Sequence, residues 1–403
     1  MRRFLYLVFA FCALISCVSC DDDNTVDVND VNKQTTIVYM PWTGSNSDSG
    51  LLSAFMLNLD SIEGAIVKNK GTNGRVLVFL SSSADSSSLY EIIYQRGQAQ
   101  HVNIKKYAGH DYTTASGLAA ILNDAKSYAP ALNYAMIVSG HGSGWTYKED
   151  WTSYPNPAKR HVFNAKRYMA PPSTRFYGSV SDNQYAANIP TIAEAIATVG
   201  IKMQYILFDD CYMANIETAY ELRNVTNFLI ASTSEVMNIG MPYQSMWKLL
   251  ASPTPNYESA VQAFHTFYKN YTYPFGTLSV IDCRKLDKLA ARMKLINTNY
   301  TFAVSLRDSL QVLDGFNTPL FYDLGDYVAR LCKNKDLLND FNKDLKSTIR
   351  ATSHTDSIYS YIYLYNPRYI KVKHFSGITI SDPSINPVVT RGIRKTAWWK
   401  ATH

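Results

Sequence analysis

A histidine and a cysteine stand in matching local settings in a chain of 403 residues. Tyr134-Ala135-Met136-Ile137-Val138-Ser139-Gly140 leads into His141-Gly142, and Tyr205-Ile206-Leu207-Phe208-Asp209-Asp210 leads into Cys211. Each is an apolar run that ends on a residue able to carry a proton or attack a carbonyl carbon. A thiol with an ordinary pKa of about 8.5 is barely ionised at neutral pH, yet the thiolate is the attacking form. An imidazole within reach removes that obstacle, because it takes the proton from sulfur and later returns it to the departing amine. The oxygen that becomes negative during attack needs fixed donors, and the backbone N–H groups of Gly142 and Cys211 adjoin the reacting side chains. His141 as general base, Cys211 as nucleophile, and Gly142 with Cys211 as oxyanion donors therefore make a machinery for acyl transfer through a thioester. His101, His110, His161, His265, His354 and His374 show no metal-ligand spacing, so a catalytic zinc is not expected and no metal ligands are assigned.

Residues so far apart in sequence meet only if the fold delivers them to one place. Short β-branched or aliphatic runs at 36–40, 75–81, 134–139 and 204–208 alternate with stretches of helical period at 51–67, 114–128 and 190–199. Such alternation predicts an α/β fold, a mostly parallel sheet flanked by helices on both faces. In a sheet of this kind neighbouring strands bring their C-terminal ends to a common edge, where ligands bind. Runs at 89–94 and 102–107 predict an antiparallel hairpin inserted between those units, and 227–232 a further central strand. Between 142 and 188 the composition turns to Trp, Tyr, Pro, Ser and scattered basic residues, which predicts a long loop, functional or flexible. From 253 onward helix-patterned stretches (257–271, 285–300, 322–331, 337–349) give way to extended runs at 357–365 and 377–381, a C-terminal α+β subdomain.

The N-terminus reads as an export signal. Arg2-Arg3 precedes an apolar run from 4 to 15, too short to span a membrane as a mature helix. Leu14-Ile15-Ser16-Cys17 and Val18-Ser19-Cys20 each resemble a lipobox; Cys20 is favoured for lipidation, with Cys17 the alternative. The Asp21-Asp22-Asp23 run behind Cys20 resembles the signal that sends Bacteroides-group lipoproteins to the cell surface, so the expected location is the outer membrane, held there by an N-terminal lipid anchor. The expected layout is a signal peptide at 1–20, a disordered tether at 21–34, a core at 35–252 and the subdomain at 253–403. Behind Cys20 only Cys211, Cys283 and Cys332 remain, an odd number that leaves at least one thiol unpaired; Cys283 and Cys332 form a disulfide or are simply buried. The formal charge of +6 is spread along the chain without a dense basic block, which argues against a nucleic-acid partner. Nothing in the sequence bears on oligomeric state.

Three blocks resemble the clostripain family of caspase-like cysteine peptidases. They are the His141-Gly142 segment, Phe208-Asp209-x-Cys211-x-Met213-Ala214-Asn215-x-Glu217, and Ala231-Ser232 with Glu235 and Gly240-x-Pro242-Tyr243; Tyr322-Asp323-Leu324 adds a fourth, shorter match. The resemblance implies a caspase-like core, protein or peptide substrates, and catalysis by His141 and Cys211. It maps Asp209 onto an acidic residue of the pocket for the side chain before the scissile bond, which in the family favours Arg or Lys because an unpaired buried carboxylate is costly. Read locally, Asp209 also suits the cap of a helix starting near Tyr212. The sequence departs from the family where strictly basic-specific members carry a second acid, since Val236-Met237-Asn238-Ile239-Gly240 offers none. Asp210 stands where a small residue is usual and would raise the thiol pKa if it faced the sulfur. The family also implies activation by self-cleavage, with Lys148, Lys159-Arg160, Lys166-Arg167 and Arg175 as candidate cut points between 146 and 175. Calcium dependence is implied by the resemblance alone; no cofactor is required for the chemistry, and no Ca²⁺ loop is legible. The competing reading is a catalytically silent surface lipoprotein that binds peptides or glycoproteins in the old cleft.

Overall fold

The structure is a computed structural model that describes residues 31–44, 50–151, 183–360, 362 and 368–403. The expected signal peptide, the expected lipidation site at Cys20 and most of the expected tether lie outside the described residues, as do Lys159-Arg160, Lys166-Arg167 and Arg175. The first β-α-β unit is β1 (Gln34–Met40), α1 (Leu52–Lys68) and β2 (Arg75–Ser83). The hairpin β3 (Ser86–Gln95) and β4 (Gln98–Ala108) follows. Next come α2 (Ala115–Tyr128), β5 (Asn133–Ser139), α3 (Ile189–Val199), β6 (Met203–Asp209), α4 (Ile216–Leu222) and β7 (Thr226–Ala231). The chain continues through α5 (Tyr243–Leu250), α6 (Tyr257–Lys269), β8 (Thr277–Asp282), α7 (Leu286–Asn299), β9 (Tyr322–Asp323), α8 (Leu324–Leu331) and α9 (Lys335–Thr348). It closes with β10 (Ile349–His354), β11 (Ser357–Ser360), β12 (Arg368–Lys371), β13 (Thr379–Ile380), α10 (Pro387–Gly392) and α11 (Ala397–Thr402).

Among the described residues nine strands form one sheet in the order β10-β8-β7-β6-β5-β1-β2-β3-β4. The central five run parallel, as the alternation of runs predicts. Antiparallel strands flank them on both sides. The parallel strands are apolar on both faces because helices cover both: Met136, Val138, Ile206 and Phe208 enter one core, whereas Ala135, Ile137, Tyr205 and Leu207 enter the other. The expected hairpin is present and extends the sheet beyond β2, with the largely exposed β4 as its edge. β8 and β10, both from beyond residue 253, extend the same sheet beside β7, and α5 packs against α6 across that boundary. The region 253–403 thus shares its sheet with 35–252.

Candidate active site

The strands settle where the two reactive residues go. β5 and β6 are parallel neighbours whose last paired positions are Ser139 and Asp209. His141 and Cys211 each lie two residues beyond that pair, at the same sheet edge, and both are buried. The loops behind the strands touch directly. A Cβ on Gly142 would collide with the Cys211 carbonyl oxygen and come within 2.8 Å of its nitrogen, so only glycine allows this approach.

The turn after Cys211 is held from several sides, with the Tyr212 and Ala214 N–H groups donating to the Ser234 and Ser232 carbonyls at 3.0 and 2.8 Å. Tyr212 adopts a left-handed φ of 62°, a strain of about 1–3 kcal/mol for a residue with a Cβ. Its ring stacks on Phe321 at 5.2 Å between centroids and its hydroxyl donates to Glu235 Oε1 at 2.7 Å. Asn215 spans the turn, donating from Nδ2 to the Tyr212 carbonyl at 2.7 Å and accepting from the Thr218 N–H at 2.7 Å. Asn215 is therefore the cap of α4, which starts at Ile216. A helix starting near Tyr212 and capped by Asp209, one of the sequence readings, is not what forms, because the positive φ at Tyr212 breaks the helical path.

The segment that follows β7 lines the other side of the sulfur. The Val236 N–H donates to Cys211 Sγ at 3.2 Å, and Sγ lies 3.6 Å from the Val236 carbonyl oxygen. Burial pushes the Cys211 thiol well above its ordinary range; Glu235, then Asp210 and Asp209, push the same way, and the Val236 N–H opposes. Glu235 thus acts on the thiol more strongly than Asp210, on which the sequence reading had placed the effect. Glu235 is buried and also accepts from Ser360 Oγ. Its position follows the strand-edge rule, since β7 delivers its C-terminal end beside those of β5 and β6. Ser360 and Phe321 arrive from distant segments and carry no local signal.

Asp209 is the last residue of β6. Its Oδ2 accepts from the Tyr243 hydroxyl at 2.8 Å, whereas Oδ1 is buried with no hydrogen-bond partner. A Cβ on Gly240 would stand 2.6 Å from Oδ2, so only glycine lets this backbone pack so closely against the carboxylate. Burial raises the Asp209 carboxyl to about 6, against the opposing Tyr243 hydroxyl. Asp210 is buried too, with neither oxygen hydrogen-bonded, and burial followed by the Asp209 charge raises it well above the carboxylate range.

Cys283 and Cys332 are both buried free thiols, which removes the disulfide alternative. Among the described residues no three His, Cys, Asp or Glu side chains converge as metal ligands, and no catalytic step is assigned to calcium. Lys148, one of the proposed cut points, is tied down: its Nζ donates to the Ala186 carbonyl at 2.9 Å and its N–H to Asn188 Oδ1 at 2.9 Å.

Residues 44–371 match the clostripain family. A secreted C11 cysteine protease of Bacteroides thetaiotaomicron, "iotapain", is 39% identical, superposes with a TM-score of 0.82 and aligns over 93% of this chain and 99% of its own. A clostripain of the same organism, in complex with the peptide inhibitor BTN-VLTK-AOMK, is 45% identical over 55% of this chain and 97% of its own, with a TM-score of 0.53. An inactive zymogen C11 protease of Parabacteroides distasonis shares the fold at 22% identity, with a TM-score of 0.76 over 93% of this chain and 99% of its own. No curated protein matches the chain.

Proposed function

The chain belongs to the clostripain family of cysteine peptidases, and we propose that it is an exported, lipid-anchored endopeptidase whose catalytic dyad is His141 and Cys211. The observation that carries this reading is the pairing of Ser139 with Asp209, which leaves both residues two steps past the ends of adjacent parallel strands. The buried thiol is neutral at rest, so it becomes nucleophilic only as His141 removes its proton. Sγ then bonds to the substrate carbonyl carbon while the N–H groups of Gly142 and Cys211 hold the oxyanion. The C–N bond breaks as His141 protonates the amine, leaving a thioester. Water, deprotonated by the same imidazole, attacks the thioester, and the acid departs with the thiol restored.

Asp209 confers preference for Arg or Lys before the scissile bond. Its unpartnered, buried Oδ1 supports this, because a guanidinium or ammonium group would supply the missing donor. The inhibitor bound by the 45% identical clostripain also has lysine at the end of its peptide part. Self-cleavage follows the same preference. With Lys148 engaged by Ala186 and Asn188, the cut falls among the basic residues from 159 to 175. Residues 1–20 direct export, Cys20 carries the lipid, and 21–34 space the enzyme from the outer membrane at the cell surface. Among the described residues no helix is long and apolar enough to cross a membrane.

The test is labelling of the processed chain with a lysyl or arginyl acyloxymethyl-ketone probe, alongside hydrolysis of matching peptides. The wild type is labelled once, at Cys211; Cys211→Ala is neither labelled nor active, and His141→Ala loses about a thousandfold in kcat. Hydrolysis that survives in Cys211→Ala overturns the assignment.

A further inference from the structure

We propose that residues 379–395 act as a clasp that sets the spacing between the His141 loop and the Cys211 turn, with Ser381 as its positioning residue; the proposal rests on the dyad reading above. β5 and β6 end at Ser139 and Asp209, so ladder hydrogen bonds do not reach the two reactive residues. Something lateral must hold the extensions, because misplacing a reacting group by about 1 Å costs on the order of 100-fold in rate.

Residues 379–395 touch both extensions. Thr379 donates from its N–H and its hydroxyl to the Ala214 carbonyl at 3.0 and 3.3 Å, and it bridges Asn215 in the turn after Cys211. Two residues later Ser381 faces two ways. Its N–H donates to Glu217 Oε1 on α4 at 2.9 Å, and its hydroxyl accepts from Trp145 Nε1 at 2.9 Å. Trp145 lies four residues past His141, so a single serine joins the histidine loop to the helix that the cysteine turn leads into. Ser381, Thr379, Glu217 and Trp145 are all buried, which makes each lost bond an unsatisfied polar group that water cannot reach.

A second attachment secures the same loop further on. Gly392 lies against Trp145 and Asp150: a Cβ there would stand 3.0 Å from the indole and 2.6 Å from Asp150 Oδ2. Lys395 Nζ reaches both Asp150 oxygens, at 2.8 and 2.9 Å, and Arg391 donates to the Asp150 carbonyl. The histidine loop is thereby fixed at Trp145 and at Asp150, both by residues of one C-terminal segment.

The experiment uses the processed full chain, with kcat expressed per thiol titrated by the acyloxymethyl-ketone probe, so that unfolded molecules do not count. Ser381→Ala and Trp145→Phe each lower that kcat about tenfold with KM within about twofold, and the double variant is no slower than either single one. An unchanged kcat per titrated thiol in both variants overturns the proposal, since a merely structural role would lower only the number of active molecules. If Ser381→Ala does not fold, Trp145→Phe, which keeps an aromatic side chain but removes the N–H together with part of the indole, decides alone. Failure of the dyad reading shows separately, as wild-type activity that survives Cys211→Ala.

Discussion

Burial drives the thiol of Cys211 and the carboxyls of Asp209 and Asp210 toward their neutral forms, and for Asp209 the consequence can be followed through pH. Its folded pKa of about 6 lies above the ordinary carboxyl value of 3.8, so the folded state binds this proton more tightly than the unfolded chain does. The stability that the protonated group contributes is complete below the unfolded pKa and is lost as pH rises through 6. Asp209→Asn should therefore stabilise the protein at pH 7 by an amount on the order of 3 kcal/mol, and hardly at all at pH 3.5, as read by denaturant unfolding at the two pH values. The same substitution should cost about 100-fold in kcat/KM toward Arg and Lys peptides. In the wild type, kcat/KM for those peptides should fall below about pH 6 as Asp209 takes up its proton, and a pH series with Asp209→Asn should lack that limb. The positions of His141, Cys211 and Asp209 at the strand ends were legible because each sits on or just past an apolar run. The strain at Tyr212 and the contacts of Glu235 with Tyr212 and Ser360 were not, since they depend on chain segments that meet only in three dimensions.

Elements were read best where burial imposes a continuous apolar run. The parallel strands β1, β2, β5, β6 and β7 all fall where the sequence puts them, within a residue or two at their ends. β8 and β10 escaped notice: β8 is six residues among helical stretches, and β10, Ile349–His354, is half-exposed with a weak apolar pattern. The start of α4 was misread because Tyr212-Met213-Ala214 continues an apolar pattern toward the helix, although Asn215 followed by Glu217 in the first turn was a usable cap signal. Glu217 is the element-scale titration. Burial lifts its carboxyl to about 8 against the Ser381 N–H, so stability should drop as pH rises from the acidic range through 8. Glu217→Gln, which keeps an acceptor for Ser381, should flatten that slope in thermal unfolding across pH 5–9. Lys395→Met removes the half-exposed partner of a buried carboxylate, and it should lower stability by about 2 kcal/mol at pH 7.

At the scale of the molecule, the described residues between 32 and 403 form one compact unit, and a cut between 159 and 175 would separate β5 from β6 in the covalent chain alone. Those strands remain paired over six positions, and Asn188 bonds Lys148 and Glu149 across the cut region. Two fragments should therefore elute together in gel filtration at neutral pH and part only in denaturant, while a reducing denaturing gel shows both. Their early separation under native conditions would contradict the pairing. Thr379, Ser381 and Lys395 follow every strand of the nine-stranded sheet in chain order. Synthesis runs from the N-terminus, so a half-made polypeptide already holds its imidazole and its sulfur but lacks the piece proposed to align them. A chain cut short before residue 379 should therefore keep both side chains yet hydrolyse peptides poorly.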